Sequence, residues 1–383
     1  MLVTIATLMT APPNAEAQDA LSKTDVATVS DQLWQAYLSK LRDDRSEEAE
    51  AKEVRLPDGK TVMRYETLTY GDAPADGRSL YISMHGGGGA PAQVNDRQWK
   101  NQIGLYKPAE GVYLAPRAPG NTWDLWHKAP LDDLLIRLIQ TMVATAEVDP
   151  NKVYLMGYSA GGDGVYQIAP RLADRFAAAS MMAGHPNEAS PVGLRNLPFA
   201  IHVGALDKGY KRNEVAKTWA GRLEELQAAD PEGYIHFCKI HAGKGHWMDR
   251  DDAEALPWMA KFTRNSRPSR VVWHQDDVTH RSQYWLAIPE GEEPTKGDQI
   301  AATIEAQTIK IKSGDQSPNK IAIRLDDTLI DLDQPVVVTW NGTEVYRDKL
   351  TRSRATLTST LRETGDRHLM FPAEIVVEKP AEK

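Results

Sequence analysis

Gly157-Tyr158-Ser159-Ala160-Gly161-Gly162 follows an apolar run and precedes a helical pattern. A serine hydroxyl is a weak nucleophile at neutral pH and needs an adjacent base and an exposed oxygen to attack a carbonyl. A sharp strand-to-helix turn provides the exposure by lifting the side chain off a sheet. Such a turn crowds the backbone, so the positions two before and two after the serine must be small; Gly157 and Gly161 occupy them. The helix that follows aims its free N–H groups at the same spot and favours developing negative charge there.

Three further groups complete the chemistry. Met84-His85-Gly86-Gly87-Gly88-Gly89-Ala90-Pro91 follows another apolar run about 70 residues upstream, a spacing typical of a backbone cradle that serves a nucleophile elbow. Its amides are the candidate donors for an oxyanion: Gly87 or Gly88, paired with Ala160, the residue after the nucleophile. An acid must hold the catalytic histidine in one tautomer and stabilise its cation. Asp207 stands just past the strand-like run Phe199–Gly204, in a G-x-x-D turn. Of ten histidines, His246 in Gly243-Lys244-Gly245-His246-Trp247-Met248 follows the next strand pattern and precedes a helix. That is where open α/β sheets bind ligands. His202 and His241 fall inside strand patterns and read as structural. The expected order is Ser159, Asp207, His246.

Loops that should overhang this edge carry Trp123, Trp126 and His127, with Trp99 and Trp247 nearby. Indole faces suit acyl chains, aromatic acids or sugar rings, so Trp123, Trp126 and Trp247 are candidate substrate contacts. His185 is a fourth, with a satisfied loop histidine as its simpler role. No H-E-x-x-H or comparable ligand spacing occurs, so neither a catalytic metal nor a cofactor is expected.

The elements that must position these groups alternate. Strand patterns lie at 80–85, 111–117, 152–159, 176–184, 197–205 and 234–243, with helical stripes at 131–143, 160–171, 213–229 and 252–263 between or after them. Alternation of this kind implies an α/β fold, a mostly parallel sheet with helices on both faces. A hairpin about Pro57-Asp58-Gly59 opens it. An amphipathic helix from Ser30, with Leu33, Trp34, Tyr37, Leu38 and Leu41 on one face, precedes it and runs out into a solvated charge run. After the linker 264–270 the helix period vanishes. Short alternating strands follow, among them a hairpin at Asn341-Gly342, and imply a β-rich, sandwich-like unit. The expected organisation is a leader at 1–17, a helical segment at 18–52, a catalytic domain at 53–264 and an accessory β-rich domain at 268–383.

Composition excludes several classes. The net charge of −8 leaves no basic patch for a nucleic acid, and no apolar run is long enough to span a bilayer. Residues 1–17 are apolar and end on Ala15-Glu16-Ala17, a pattern of secretory leaders, although no basic residue precedes Lys23; a secreted or periplasmic location is the expectation. Cys238 is the single cysteine, so no internal disulfide can form, and it reads as a small buried apolar residue.

On HGGGG at 85–89, GYSAGG at 157–162, VDPNKVYLMG at 148–157, FAAASMMAG at 176–184 and the turns bearing Asp207 and His246, the stretch 53–264 resembles the α/β-hydrolase superfamily. Within it the likeness is to serine esterases of the polyhydroxyalkanoate-depolymerase and feruloyl-esterase group. The disulfide-bearing members of that group depart from this chain. The resemblance implies a carboxylic ester hydrolase with a small-molecule or polymeric ester as substrate; it does not reach the β-rich part, whose partner stays unassigned. Two other readings are a serine peptidase of prolyl-oligopeptidase type and a non-catalytic cell-surface or glycan-binding protein on a hydrolase scaffold.

Overall fold

A computed structural model describes residues 19–381; the leader expected at 1–17 lies outside the described residues. Eight strands make one sheet: β1 (Glu53–Arg55), β2 (Val62–Tyr70), β3 (Arg78–Met84), β4 (Gly111–Arg117), β5 (Val148–Tyr158), β6 (Ala178–Met182), β7 (Phe199–Gly204) and β8 (His236–His241). Their spatial order is β1-β2-β4-β3-β5-β6-β7-β8. β2 runs antiparallel to both neighbours, β1 and β4; every other pairing is parallel.

The central strands Arg78–Met84, Ala178–Met182 and Phe199–Gly204 are buried at nearly every position and mostly apolar because helices cover both faces. Side chains alternate between two buried clusters. Leu80, Ile82, Val153 and Leu155 join the helices α3 (Pro130–Thr145), α4 (Ala160–Arg171) and α5 (Arg212–Ala229). Tyr81, Tyr154 and Met156 join the opposite face under α6 (Ala255–Met259).

Two elements around this sheet depart from the sequence reading. Helix α2 (Ala92–Gln102) carries no apolar stripe, because its inward positions are Asn95, Trp99 and Gln102. The helix expected over 252–263 is shorter: a 3-10 turn at Asp251–Glu254 precedes the five residues of α6. Asp252 is turned inward there to accept the Tyr106 hydroxyl.

Beyond residue 270 lie two further sheets. One has five strands, Arg270–His274, Gln299–Glu305, Thr308–Ser313, Val336–Trp340 and Thr343–Asp348. The other has four, Ser282–Gln283, Leu286–Ala287, Lys320–Leu325 and Ala373–Glu378. The helix period does not vanish here: α7 (Arg354–Thr364) is capped by Ser353 and closed by Gly365, and buries Leu357 and Leu361. Two apolar residues four apart among threonines and arginines make too narrow a stripe to stand out in sequence.

The N-terminal helix α1 (Lys23–Ala51) includes the charge run and touches both parts of the chain. Glu48 takes a forked pair of hydrogen bonds from Arg137 on α3, and Trp34 packs with Leu357, Leu361 and Met370. Cys238 is half-buried, and burial pushes its thiol pKa up.

Deep between the strand-rich region and the large sheet, Arg264 pairs with Asp366 at 2.7 Å and also reaches Asn151 Oδ1 and the Asp174 carbonyl. Burial opposes the charge on Asp366, yet Arg264 outweighs it and holds the carboxyl pKa at about 2. A carboxylate depressed in the folded state contributes stability above its unfolded pKa and loses it as pH falls. The wild type should therefore lose stability as pH drops from about 4 to about 2. Asp366→Asn leaves Arg264 uncompensated and should lower the unfolding free energy by about 3–5 kcal/mol at neutral pH. Urea titrations of both proteins from pH 7 to about pH 2 would check this; a variant as stable as the wild type would refute it.

Candidate active site

The loops after β3, β5, β7 and β8 meet at the C-terminal edge of the sheet. Ser159 joins β5 to α4 with φ 57° and ψ −120°, a conformation most side chains avoid. Its amide is tied to the Met182 carbonyl at 2.9 Å. The turn works only because backbone meets backbone. A Cβ on Gly157 would stand 2.2 Å from the Gly161 carbonyl oxygen, and one on Gly161 would stand 2.1 Å from the Met84 carbonyl oxygen.

Asp207 and His246 arrive by a second close approach. Asp207 closes a turn onto the Gly204 carbonyl at 3.0 Å. A Cβ on Gly204 would stand 2.0 Å from the Gly245 carbonyl, so the two loops can touch only at a glycine. His246 Nδ1 lies 2.7 Å from Asp207 Oδ2, and its Nε2 lies 2.9 Å from Ser159 Oγ. The buried carboxylate accepts Nδ1–H, which leaves the Nε2 lone pair facing the serine hydroxyl. The three residues expected to converge do so.

The histidine loop has an anchor that the sequence reading passed over. Tyr158, the variable position of the elbow motif, donates its hydroxyl to the His246 carbonyl at 2.6 Å and accepts the Met248 amide at 3.1 Å. Burial pushes its pKa up, so the phenol stays protonated. Its ring stands edge-on to His246 and lies against Trp247.

The glycine loop departs in part from expectation. Gly87 and Ala160 keep amides without a partner among the described residues. Gly88 does not: its N–H donates to Asn95 Oδ1 at 2.9 Å. Gly86 stands nearest the nucleophile; a Cβ there would lie 3.1 Å from Ser159 Cβ. Asn95 is buried on α2 and braces the loop further through Ala90 and Asn121. His85 is buried and accepts the Ala118 amide on Nε2, so its proton sits on Nδ1 and donates to the Gly86 carbonyl at 2.6 Å. Burial lowers its pKa to about 4, so it stays neutral. Neither Asn95 nor His85 carried a signal beyond its place near the glycines.

Of the aromatic candidates, Trp123 and Trp247 are exposed at 64% and 49% and line the clefts beside Ser159. Trp126 does not contact them: it is fully buried and donates its indole N–H to the His85 carbonyl. Trp99 is likewise packed inside, bonded to Ala115 O, and His127 is buried edge-on to Trp123. His185 lines the cleft and ties its amide to Asp163.

Among the described residues one group has donor spacing near that of a metal site: His202, His241 and Glu254. His202 Nδ1 and His241 Nε2 stand 3.2 Å apart with ring centres at 5.4 Å, so the two nitrogens point at each other as a hydrogen-bonded pair. Lys239 neutralises Glu254 at 2.6 Å. The group ties β7 and β8 to the turn after the histidine loop.

Asn95→Ala frees Gly88 N–H and unbraces the glycine loop. It should slow labelling of Ser159 by a fluorophosphonate roughly 10- to 100-fold while leaving the folded content unchanged by circular dichroism. Unchanged labelling would show that the loop holds its shape without Asn95.

No family model matches the chain. A protein of Nocardia uniformis subsp. tsuyamanensis, "Putative esterase NocK", is 27% identical over 153 residues, which cover 37% of this chain and 44% of that protein. The match thus spans less than half the length of either. Among solved structures, a thermostable esterase superposes with a TM-score of 0.40 at 18% identity, over 55% of this chain and 62% of that one. LpqC, the poly(3-hydroxybutyrate) depolymerase from Bordetella parapertussis, does so with a TM-score of 0.40 at 17% identity, over 58% and 91%. The mostly parallel eight-stranded sheet with its second strand reversed, a serine elbow after the fifth strand, and an acid and a histidine after the seventh and eighth have the arrangement of the α/β-hydrolase fold.

Proposed function

We propose that the protein is a serine hydrolase that cleaves carboxylic esters through an acyl-enzyme intermediate. The observation that carries this reading is the unbroken hydrogen-bond chain from Asp207 through His246 to Ser159. His246 Nε2 takes the hydroxyl proton as Oγ attacks the ester carbonyl, and Asp207 stabilises the imidazolium. The unpartnered amides of Gly87 and Ala160 would receive the oxyanion, where each donor removed costs about 3 kcal/mol of barrier. His246 then protonates the leaving alcohol, and a water deprotonated by the same imidazole releases the acid. The partial match to NocK, an esterase by name, supports the ester over the amide. The apolar leader supports an exported protein, and the strand-rich residues 268–383 are read as an accessory unit.

Short p-nitrophenyl esters test the assignment. The wild type should hydrolyse them and be labelled by a fluorophosphonate; Ser159→Ala should lose both, and His246→Ala should lose on the order of 10⁶-fold in kcat. Peptide anilides should be poor substrates. Equal labelling of wild type and Ser159→Ala, or cleavage of anilides in preference to esters, would refute the reading.

A further inference from the structure

Two unlike clefts flank Ser159. The first, about 560 Å³, is lined beside Gly86 by Leu105, Tyr158 and Trp247 and by Gln98, Asn101 and Gln102 of α2. The second, about 450 Å³, is walled by Trp123, Asp163, His185, Tyr210 and Arg212. An ester bound across the serine therefore places its two halves in different chemistry.

Arg212 sets the character of the second cleft. Its side chain is 12% exposed, yet it is poorly satisfied. Nη1 reaches the Gly209 carbonyl at 3.3 Å and lies 3.8 Å from Asp207 Oδ1; among the described residues, buried Nε has no partner and no acceptor meets Nη2. The guanidinium stacks on Tyr210, 4.8 Å from the ring centre, and Tyr210 is itself held at φ 52° and is 79% exposed at the mouth. Lys208 and Lys211 stand exposed on the same turn. The acidic groups nearby are already engaged. Asp207 binds His246. Asp163 takes the His185 amide on Oδ1 and lies beyond ion-pair distance of Arg212; burial raises its pKa to about 6, so it is still mostly charged at neutral pH and acts on Arg212 only from a distance. A planar cation with free N–H groups in a partly desolvated wall fits a carboxylate.

We infer that the second cleft binds a carboxylate-bearing half of the substrate, with Arg212 as its anchor, so that the preferred esters are anionic. This rests on the ester-hydrolase reading above, and the test separates the two. Two matched pairs of substrates place the charge on either half: p-nitrophenyl adipate monoester against p-nitrophenyl hexanoate, and 4-carboxyphenyl butyrate against 4-carbamoylphenyl butyrate. In one pair the wild type should favour the charged ester in kcat/KM by about ten-fold or more, the range of a charge-assisted hydrogen bond. Arg212→Gln should erase that preference, Arg212→Lys should keep part of it, and added salt should weaken it. The ratio within each pair is the readout, so a general loss of rate from the neighbouring Asp207 does not confuse it. Hydrolysis without a charged preference in either pair, or a preference that Arg212→Gln leaves intact, overturns the inference while sparing the hydrolase reading. No hydrolysis of any of the four overturns both.

Discussion

Everything at the active edge depends on backbone approaching backbone with no side chain between. Ser159 is held at positive φ because Gly161 lies flush against the end of β3 and Gly157 against Gly161. Any Cβ at either position would overlap a carbonyl oxygen of the chain itself, which cannot move without shifting the sheet. The same contact brings the glycine loop beside the nucleophile, since Met84 leads directly into His85 and Gly86. One steric closure therefore sets both the direction of the hydroxyl and the place of the oxyanion donors.

The polar residues around that closure divide the work. Tyr158 holds the loop of His246 from below, while His85, Asn95 and Trp126 hold the glycine loop from behind. Each is buried or partly buried and bonds loop backbone, with Asn95 adding one bond to the Asn121 side chain, so each fixes a loop. Preorganisation of this kind lets donors face a developing charge without rearrangement at the moment of reaction.

The sequence disclosed what repeats or what is sterically obligatory. Buried strands are continuous apolar runs, and the elbow glycines have no substitute, so the sheet, Ser159, Asp207 and His246 were all legible. What it hid was polar burial. Asn95 and Gln102 face inward on α2 in place of leucines, so the helix lacked the stripe that would reveal it. Trp126 and Trp123 lie three residues apart on one loop, and nothing in their spacing tells the indole that braces His85 from the one exposed at the cleft. Likewise the commitment of Gly88 N–H depends on Asn95, a partner seven residues away on an element the pattern did not show.

Helix α1 gives the chain a particular history on the ribosome. One side of it docks on α3, about a hundred residues downstream. The other side, with Trp34, waits for Leu357 and Leu361, and Asp19 waits for Ser353. At bacterial or eukaryotic elongation rates those partners emerge roughly fifteen seconds to a minute after the tryptophan does. For about the last third of that interval, once β8 is out, a nascent chain with a finished sheet still displays an unfilled aromatic face, an opening for chaperones and for aggregation alike.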